Sequence, residues 1–400
     1  MSVAEIMQSP AYRKIVEVLE ADHDRTVADI VALTEIAAPP FGEGPKGAHY
    51  LDMLRAHGLE DVELDGIGNA MGLRRGAGNG PLIVVAAHLD TVFPAGTVVT
   101  VRREGTKLFA PGVGDDTRSL AVLLAYIRAL DAAGVRTSSD ILFVGDVGEE
   151  GLGDLRGIRH LFTEGKYKDR IKAFFTVDSP DMEGLVVGGV GSKRYRATFR
   201  GPGGHSYGAF GLVSPAFAMA QAMLELSRVA VPAKPKTTFS ASVFGGGTSV
   251  NSIPNEVWVE VDLRSEAPVE LARLEQRFLA ILDQAVQAEN HARSTEQGVI
   301  TVEATLIGDR PAGSTAADSD IVKHSTAALE AHGFAVRHVA SSTDANIPMS
   351  LGIPAVKIGS GGTGGRGHSL DEWIDVEQSN SVRGMAAGLT AILAVAGIAP

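Results

Sequence analysis

Residues 82–91 read LIVVAAHLDT, an apolar run followed by a histidine and an aspartate. The unbroken apolar stretch from Leu82 to Ala87 is typical of a strand buried on both faces of a parallel sheet. Ligands of parallel sheets bind outside the carboxyl ends of the strands, so His88 and Asp90 are expected to face a binding crevice. An isolated H-x-D pair would more often belong to an ordinary turn, so its interpretation depends on the rest of the chain.

Apolar runs of the same kind recur downstream and predict further buried strands at residues 141–144, 174–177 and 355–358. A helical pattern at 120–130 precedes the first of these strands. Apolar spacing of three and four over 12–37 predicts one helix, which should stop at Pro39. Strands and helices in this order predict an α/β fold with a mostly parallel central sheet.

The middle of the chain has a different pattern, in which apolar and polar residues alternate, as in strands with one solvated face. In chain order it predicts strand 193–200, helix 214–230, strand 237–244, strand 256–264, helix 268–292 and strand 299–306. This β-α-β-β-α-β order is ferredoxin-like. The α/β pattern then resumes with helix 318–332. We therefore predict a domain at 191–306 that is inserted into a larger domain formed by 1–190 and 307–400.

Imidazole and carboxylate groups follow several of the predicted strands or precede a predicted helix: His88, Asp115, Glu149, Glu150, Asp178 and His368. Taken singly, Asp115 would be read as a helix cap and the two glutamates as a solvated pair. The chain has no cysteine, so a metal could be bound only through imidazole and carboxylate. Two histidines and three carboxylates suit two divalent ions with one bridging carboxylate, and Glu149 is then free to take a proton from the attacking water.

Five features in this order resemble the co-catalytic zinc peptidases that include peptidase T, carboxypeptidase G and aminoacylase. They are HLDTV from residue 88, GVGDD from 112, GEEGLGDLRG from 148, the aspartate at 178 and GGRGHS from 364. The resemblance spans nearly the whole chain. It implies a zinc-peptidase catalytic domain that carries a smaller lid domain, and it implies that the lid also forms a homodimer.

The resemblance also implies a role for each matched residue. Two Zn²⁺ would be held by a bridging Asp115, by His88 and Asp178 at one site, and by Glu150 and His368 at the other. Co²⁺ or Mn²⁺ are expected substitutes. Asp90 matches the carboxylate that orients His88, and Glu149 matches the general base.

One segment departs from the family pattern. The commonest pattern has a lysine two positions after the bridging aspartate and then a glycine, whereas here Thr117, Arg118 and Ser119 follow Asp116. The departure leaves the implied ligands intact. It affects the surroundings of the metals and, with them, the choice of substrate.

Three residues of the inserted domain are also implied as functional. His205, in GPGGHS, resembles a lid histidine that reaches a neighbouring active site and donates a hydrogen bond to the oxyanion. Asn251, in SVNSIP, and Arg264, in VDLRS, match positions that bind the carbonyl or carboxylate of the substrate. The alternatives are a surface-loop histidine for His205 and a strand-end salt bridge for Arg264.

These features predict an enzyme that hydrolyses an amide bond. In the family, an aspartate at the position of Asp178 is more typical of aminopeptidases and dipeptidases, which favours small peptides as substrates. The alternative is an amidohydrolase or aminoacylase acting on N-acyl or N-carbamoyl amino acids. A catalytically dead, dimeric binding protein is a third hypothesis.

The composition argues against other partners. A formal net charge of −12 repels the phosphate backbone, so we expect no nucleic-acid partner. No stretch is long and apolar enough to cross a bilayer, and the opening residues MSVAEIMQSPAYRK lack the pattern of a secretion signal. We therefore expect a cytoplasmic protein.

Overall fold

The computed structural model describes residues 1–78 and 81–399. They form two compact units, and each is described by itself below. The first unit contains Met1–Gly189 and the chain from Ser314 onward, and the second contains Val190–Gly313. The last strand of the second unit, expected at 299–306, runs instead over Thr301–Arg310, so this unit ends later than the predicted boundary at 306.

The strands, numbered along the chain, are β1 (Glu60–Leu64), β2 (Ala70–Arg74), β3 (Leu82–His88), β4 (Arg102–Glu104), β5 (Lys107–Phe109), β6 (Asp140–Asp146), β7 (Ile171–Val177), β8 (Gly184–Gly189), β9 (Gly191–Arg200), β10 (Gly204–His205), β11 (Thr237–Gly246), β12 (Ser252–Ile253), β13 (Glu256–Ser265), β14 (Thr301–Arg310), β15 (Gly313–Ser314), β16 (Arg337–Ser341), β17 (Ala355–Ile358), β18 (Thr363–Gly365) and β19 (Trp373–Asp375). The helices are α1 (Val3–Gln8), α2 (Pro10–Ala21), α3 (His23–Thr34), α4 (Gly44–Arg55), α5 (Arg118–Ala132), α6 (Arg156–Thr163), α7 (Pro215–Ser227), α8 (Pro268–Ala292), α9 (Asp320–Ala331), α10 (Asn346–Ser350) and α11 (Gln378–Ala396).

The main sheet of the first unit has the order β1-β2-β6-β3-β7-β17-β8-β15, and β16 also pairs with β8. Its centre, β6-β3-β7-β17, is parallel throughout. Antiparallel pairs flank this centre, between β2 and β6 on one side and between β17 and β8 on the other. The predicted α/β fold with a mostly parallel centre is confirmed, within a sheet that is mixed as a whole.

Strand β3 shows why the opening sequence is so apolar. All of its residues are buried, and alternate side chains enter two different apolar clusters, one on each face of the sheet. The clusters take Ile83, Val85 and Ala87 on one face and Leu82, Val84 and Ala86 on the other. Helix α5 covers the first face and α6 the second. A strand covered on both sides has no position for a polar residue until it ends, at His88.

The amino-terminal helix differs from the prediction. Instead of one helix over 12–37 there are two, α2 and α3, which meet at Asp22, a residue outside the helical conformation at φ −94° and ψ 7°. The carboxylate of Asp22 pairs with Arg128 of α5, which also binds Asp29 at 2.8 Å. Apolar spacing continues through the break, because both helices pack on the same core, and so the sequence pattern does not reveal the break.

The second unit is the ferredoxin-like β-α-β-β-α-β fold that the alternation predicted. Its antiparallel sheet has the order β11-β13-β9-β14. The apolar sides of the strands and of α7 and α8 form one cluster, which includes Phe199, Leu263 and Phe278. The opposite face of the sheet carries charged pairs such as Arg196 with Glu260.

In the described part of the chain, no helix has both the length and the apolar character that crossing a bilayer requires.

Candidate metal centre

Side chains that could bind metal converge where the central strands of the first unit end. His88 is the last residue of β3, Asp178 directly follows β7, and Glu149 and Glu150 follow β6. The carboxyl ends of these parallel neighbours lie at the same edge of the sheet. Two loops complete the group: the turn Val113–Thr117 carries Asp115, and the segment between β18 and β19 carries His368.

Within the described residues, ligand atoms lie within 4.8 Å of one another in three groups: His88 with Glu149 and Glu150, His88 with Asp116 and Asp178, and Asp115 with Glu150 and His368. The structure thus brings together all five residues expected as metal ligands and the expected base. These donors are imidazole nitrogens and carboxylate oxygens, the ligands of borderline and hard divalent cations, and their chemistry fits a pair of such ions.

Asp115 lies between the two histidines. Its Oδ1 is 3.0 Å from Nε2 of His88, and its Oδ2 is 3.1 Å from Nε2 of His368. Nε2 of His368 is also 2.9 Å from Oε1 of Glu150. One carboxylate facing two imidazoles through different oxygens is the arrangement that a bridging ligand needs.

The charges of the group would favour the binding of cations. Burial alone would lower the pKa of His88, but Asp116, Asp115 and Asp90 raise it well above its ordinary value. Hydrogen bonds with Asp115 and Glu150 raise the pKa of His368 to about 10. Burial and the nearby Asp115 raise the pKa of Asp178. Divalent cations would compensate the charges of the same carboxylates. Metal binding would therefore release the protons that these groups hold.

Asp90 contacts His88 and also the backbone of the two adjacent glutamates. Its carboxylate is 3.6 Å from Nδ1 of His88, whose nearer partner is the backbone oxygen of Asp90 at 3.0 Å. The two carboxylate oxygens accept hydrogen bonds from the backbone N–H groups of Glu149 and Glu150, at 3.0 and 2.9 Å. Asp90 therefore fixes both the histidine and the segment of the paired glutamates.

Two further acids position this centre, and the sequence analysis did not propose them. Asp116 accepts hydrogen bonds from the backbone N–H groups of His88, at 3.1 Å, and Ser179, at 3.3 Å. Glu372 accepts three, from Gly112, Gly114 and Asp115, at 2.7–3.0 Å. Asp116 could have been suspected as the neighbour of Asp115, whereas Glu372, in the polar stretch HSLDEW, carries no such signal.

The other expected site residues belong to the second unit. His205 is exposed in β10, which pairs with β12, and the N–H of Ser206 donates to the backbone oxygen of Asn251 at 2.9 Å. His205 and Asn251 thus occupy one local structure. Nε of Arg264 is 2.6 Å from Oδ2 of Asp262, so the salt bridge considered as an alternative is present.

A cleft of about 600 Å³ opens beside Asp115 in the first unit. Apolar and charged side chains share its lining, among them Met182, Phe334, Trp373, Asp181, Glu183 and Arg383. Clefts of this size take small ligands.

A mixed α/β sheet with imidazoles and carboxylates gathered at its strand ends is typical of metal-dependent hydrolases. The model of the Peptidase family M20/M25/M40 matches residues 84–393, and the chain belongs to this family. The resemblance drawn from the motifs is thereby confirmed, and so is the prediction of an enzyme.

Individual proteins are similar over different lengths. The chain is 27% identical over 244 residues to the succinyl-diaminopimelate desuccinylase of Leptothrix cholodnii, a match that covers 57% of the chain and 63% of the relative. The chain spans from about a third to just under two thirds of the length of the curated relatives it matches.

Solved structures match nearly the full length. Aminopeptidase PepT of Bacillus cereus superposes with a TM-score of 0.74 at 21% identity, covering 94% of this chain and 99% of that one. The YXEP protein of Bacillus subtilis, described as a dinuclear metal-binding peptidase from the M20 family, gives 0.67 at 16% identity, covering 94% and 99%. At these identities the likeness shows the shared fold.

Proposed function

We propose that this protein hydrolyses an amide bond of small peptides, as an aminopeptidase of the di- or tripeptidase type. Two Zn²⁺ would be held by His88, Asp115, Glu150, Asp178 and His368. The observation that supports this most strongly is the carboxylate of Asp115, whose two oxygens face two different imidazoles.

When bound, the ions supply Lewis acidity, which lowers the pKa of a water molecule and polarises the carbonyl of the amide. Glu149 then acts as the general base. It is nearly buried, is grouped with His88 and Glu150, and has its backbone held by Asp90. A carboxylate in this position can take a proton from the attacking water and return it to the leaving amine.

His205 is proposed to donate a hydrogen bond to the oxyanion. Its Nδ1 accepts from the backbone N–H groups of Tyr207 and Gly208, each at 3.2 Å, which places the ring proton on Nε2. The exposed Nε2–H is therefore available as a donor. We assign Asn251, its neighbour in the same local structure, to the substrate carbonyl. Arg264 would bind a carboxylate in competition with Asp262.

The preference for small peptides rests on two features. Asp178 is the aspartate that the motif comparison associated with aminopeptidases and dipeptidases. The cleft beside Asp115 offers acids, Asp181 and Glu183, to a free amino group, and it offers Arg383 to a free carboxylate. A short peptide carries both charged ends.

The second candidate is hydrolysis of N-acyl or N-carbamoyl amino acids. It is favoured by the similarity to the succinyl-diaminopimelate desuccinylase, whose name describes removal of an acyl group. A panel that keeps the released amino acid constant separates the two candidates, because only the group on its nitrogen then changes. We expect the dipeptide to be cleaved faster than the N-acetyl, N-succinyl and N-carbamoyl forms. A tripeptide that ends in the same dipeptide should be cleaved at its first amide bond.

The same panel tests metal dependence. Chelation should abolish turnover while the α/β core stays folded, because that core is apolar and does not include the ligands. Adding zinc, cobalt or manganese should restore turnover. Undiminished turnover by thoroughly metal-free protein would refute the proposal. A fully metal-loaded protein that cleaves nothing in the panel would favour the binding-protein hypothesis instead.

We further propose a cytoplasmic homodimer formed through the second unit. Large apolar side chains are exposed on that unit, among them Tyr207, Phe210, Phe217 and Phe244. Exposed apolar groups of this size are common at protein interfaces. Sedimentation of the full chain should give the mass of a dimer, and substitution of Phe244 by serine should weaken the association if β11 lies in the contact.

A further inference from the structure

Lys46 is a buried lysine that the proposed mechanism does not use. It lies in the first turn of α4, and only 1% of it is exposed. Its Nζ donates a hydrogen bond to Oγ1 of Thr117 at 3.4 Å, in the turn that carries Asp115. Lysine is rarely buried so fully unless other groups compensate its charge.

The charges of three buried carboxylates, Asp90, Asp116 and Glu372, favour the protonated form of Lys46. Burial has the larger and opposite effect, so the pKa of Lys46 is lowered, to about 8. The side chain therefore remains mostly protonated at neutral pH.

Each of the three carboxylates holds a backbone segment of the candidate metal centre. Asp90 accepts from the N–H groups of Glu149 and Glu150. Asp116 accepts from the N–H of His88, and Glu372 accepts from those of Gly112, Gly114 and Asp115. Between them the three acids hold the end of β3, the segment of Glu149 and Glu150, and the turn that carries Asp115. The charges of all three act on the ammonium of Lys46.

We propose that Lys46 is a positioning residue, whose ammonium keeps Asp90, Asp116 and Glu372 in place around the segments that carry the metal ligands. The inference rests on the proposed function, because it takes those segments to be a metal centre. It also accounts for the departure at Thr117, where the commonest family pattern has lysine. Here the ammonium comes from α4 and ends at the threonine hydroxyl.

Removing the charge is the first test. Lys46→Met keeps most of the side-chain volume, and Lys46→Arg keeps the charge. Lys323→Met is the matched control, since Lys323 is an exposed lysine of α9. The readouts are the visible absorption spectrum of the Co²⁺-loaded protein, which reports ligand geometry, and kcat and KM measured separately. We expect Lys46→Met to alter the spectrum and to lower kcat by about 10- to 100-fold with KM little changed, as for other groups that orient metal ligands. Lys46→Arg and Lys323→Met should keep the wild-type spectrum.

Moving the charge is the second test. Lys46→Ala vacates the space, and Thr117→Lys in the same chain supplies an ammonium from the other side. The double variant should have the wild-type Co²⁺ spectrum, and its kcat should be at least ten-fold higher than that of Lys46→Ala. If Lys46 only filled space, this recovery would not occur. The lysine at position 117 starts from another part of the backbone and would not fill the space that Lys46 leaves.

Two results would overturn the proposal: a wild-type Co²⁺ spectrum and kcat in folded Lys46→Met, or a double variant no better than Lys46→Ala. If Lys46→Met and Lys46→Ala do not fold, folding of the double variant would support the charge as the essential feature, and its failure to fold would contradict it. The spectrum needs no substrate. A protein that binds Co²⁺ but cleaves no amide would therefore refute the proposed function and leave the test of Lys46 intact.

Discussion

Glu149 and Glu150 are adjacent in the chain, yet their carboxylates have different surroundings. Oε1 of Glu150 is 2.9 Å from Nε2 of His368 and lies with Asp115 in one group of candidate ligands. Glu149 lies in another group, with His88, and its carboxylate is within 4.8 Å of a carboxylate oxygen of Glu150. Asp90 accepts hydrogen bonds from both backbone N–H groups, so the segment that carries the two carboxylates is held in place.

Substitution of each glutamate by glutamine should therefore have a different effect. Glu149→Gln keeps its shape but cannot take a proton, so turnover should fall by about 100-fold or more while both metals stay bound. Glu150→Gln replaces a charged ligand by a neutral amide and should lose metal, with partial recovery of turnover in excess zinc. Metal content measured beside turnover for each variant makes the comparison.

Glu164→Gln, at an exposed glutamate of the same unit, is the control and should change neither quantity. Loss of metal from Glu149→Gln with full occupancy in Glu150→Gln would reverse the two roles. Near-normal turnover of Glu149→Gln would remove it as the base.

At the scale of elements, the turn Val113–Thr117 depends on a residue distant in sequence. Glu372 accepts three backbone N–H groups of this region with its two oxygens, and it is buried. A turn with this many N–H groups directed inward would leave them without acceptors if the carboxylate were absent. The position of Asp115 is thus set by Glu372.

Glu372→Gln should consequently weaken both the fold and the metal centre. The amide NH₂ would replace one acceptor with a donor facing N–H groups, which costs about 1–3 kcal/mol of unfolding free energy. Metal affinity should fall by about 10- to 100-fold. Chemical denaturation and metal titration measure the two effects.

Asp371→Asn is the neighbouring control, because Asp371 is exposed and pairs with Arg366 at the surface, at 3.2 Å. It should change stability by less than about 1 kcal/mol. Equal losses in the two variants would mean that the effect comes from the loop as a whole and not from the acceptor.

Strand ends were predictable from sequence, and the loops that complete the centre were not. His88 and Asp178 each end an apolar run that a buried strand requires, so their convergence follows from parallel pairing. Glu372 has no such local signature, since its function comes from contacts with residues about 260 positions away. The same limit concealed the break at Asp22, whose partner Arg128 lies on another helix.

At the scale of the whole molecule, the chain is divided into two units with different strand patterns. Continuous apolar runs mark the first and alternation marks the second, because one sheet is covered on both faces and the other on one. The candidate ligands all belong to the first unit, whereas His205, Asn251 and Arg264 belong to the second. A reaction that uses both sets needs the two units to cooperate, either within one chain or between two.

Mixing of two inactive variants distinguishes these possibilities. If His205 serves the active site of the partner in a homodimer, His205→Ala and Glu149→Gln are each inactive alone but complement each other. In a mixed dimer, the site with the intact Glu149 receives the intact His205 from the other chain, while the second site has neither. We therefore expect one working site in each mixed dimer, measured as recovered turnover against the fraction of mixed dimer.

A mixture of Glu149→Gln and Glu150→Gln is the control and should stay inactive, because both residues act within their own chain and each site of that mixed dimer lacks one of them. Absence of recovery with His205→Ala, despite verified exchange of subunits, would show that His205 acts within its own chain or has no part in the reaction.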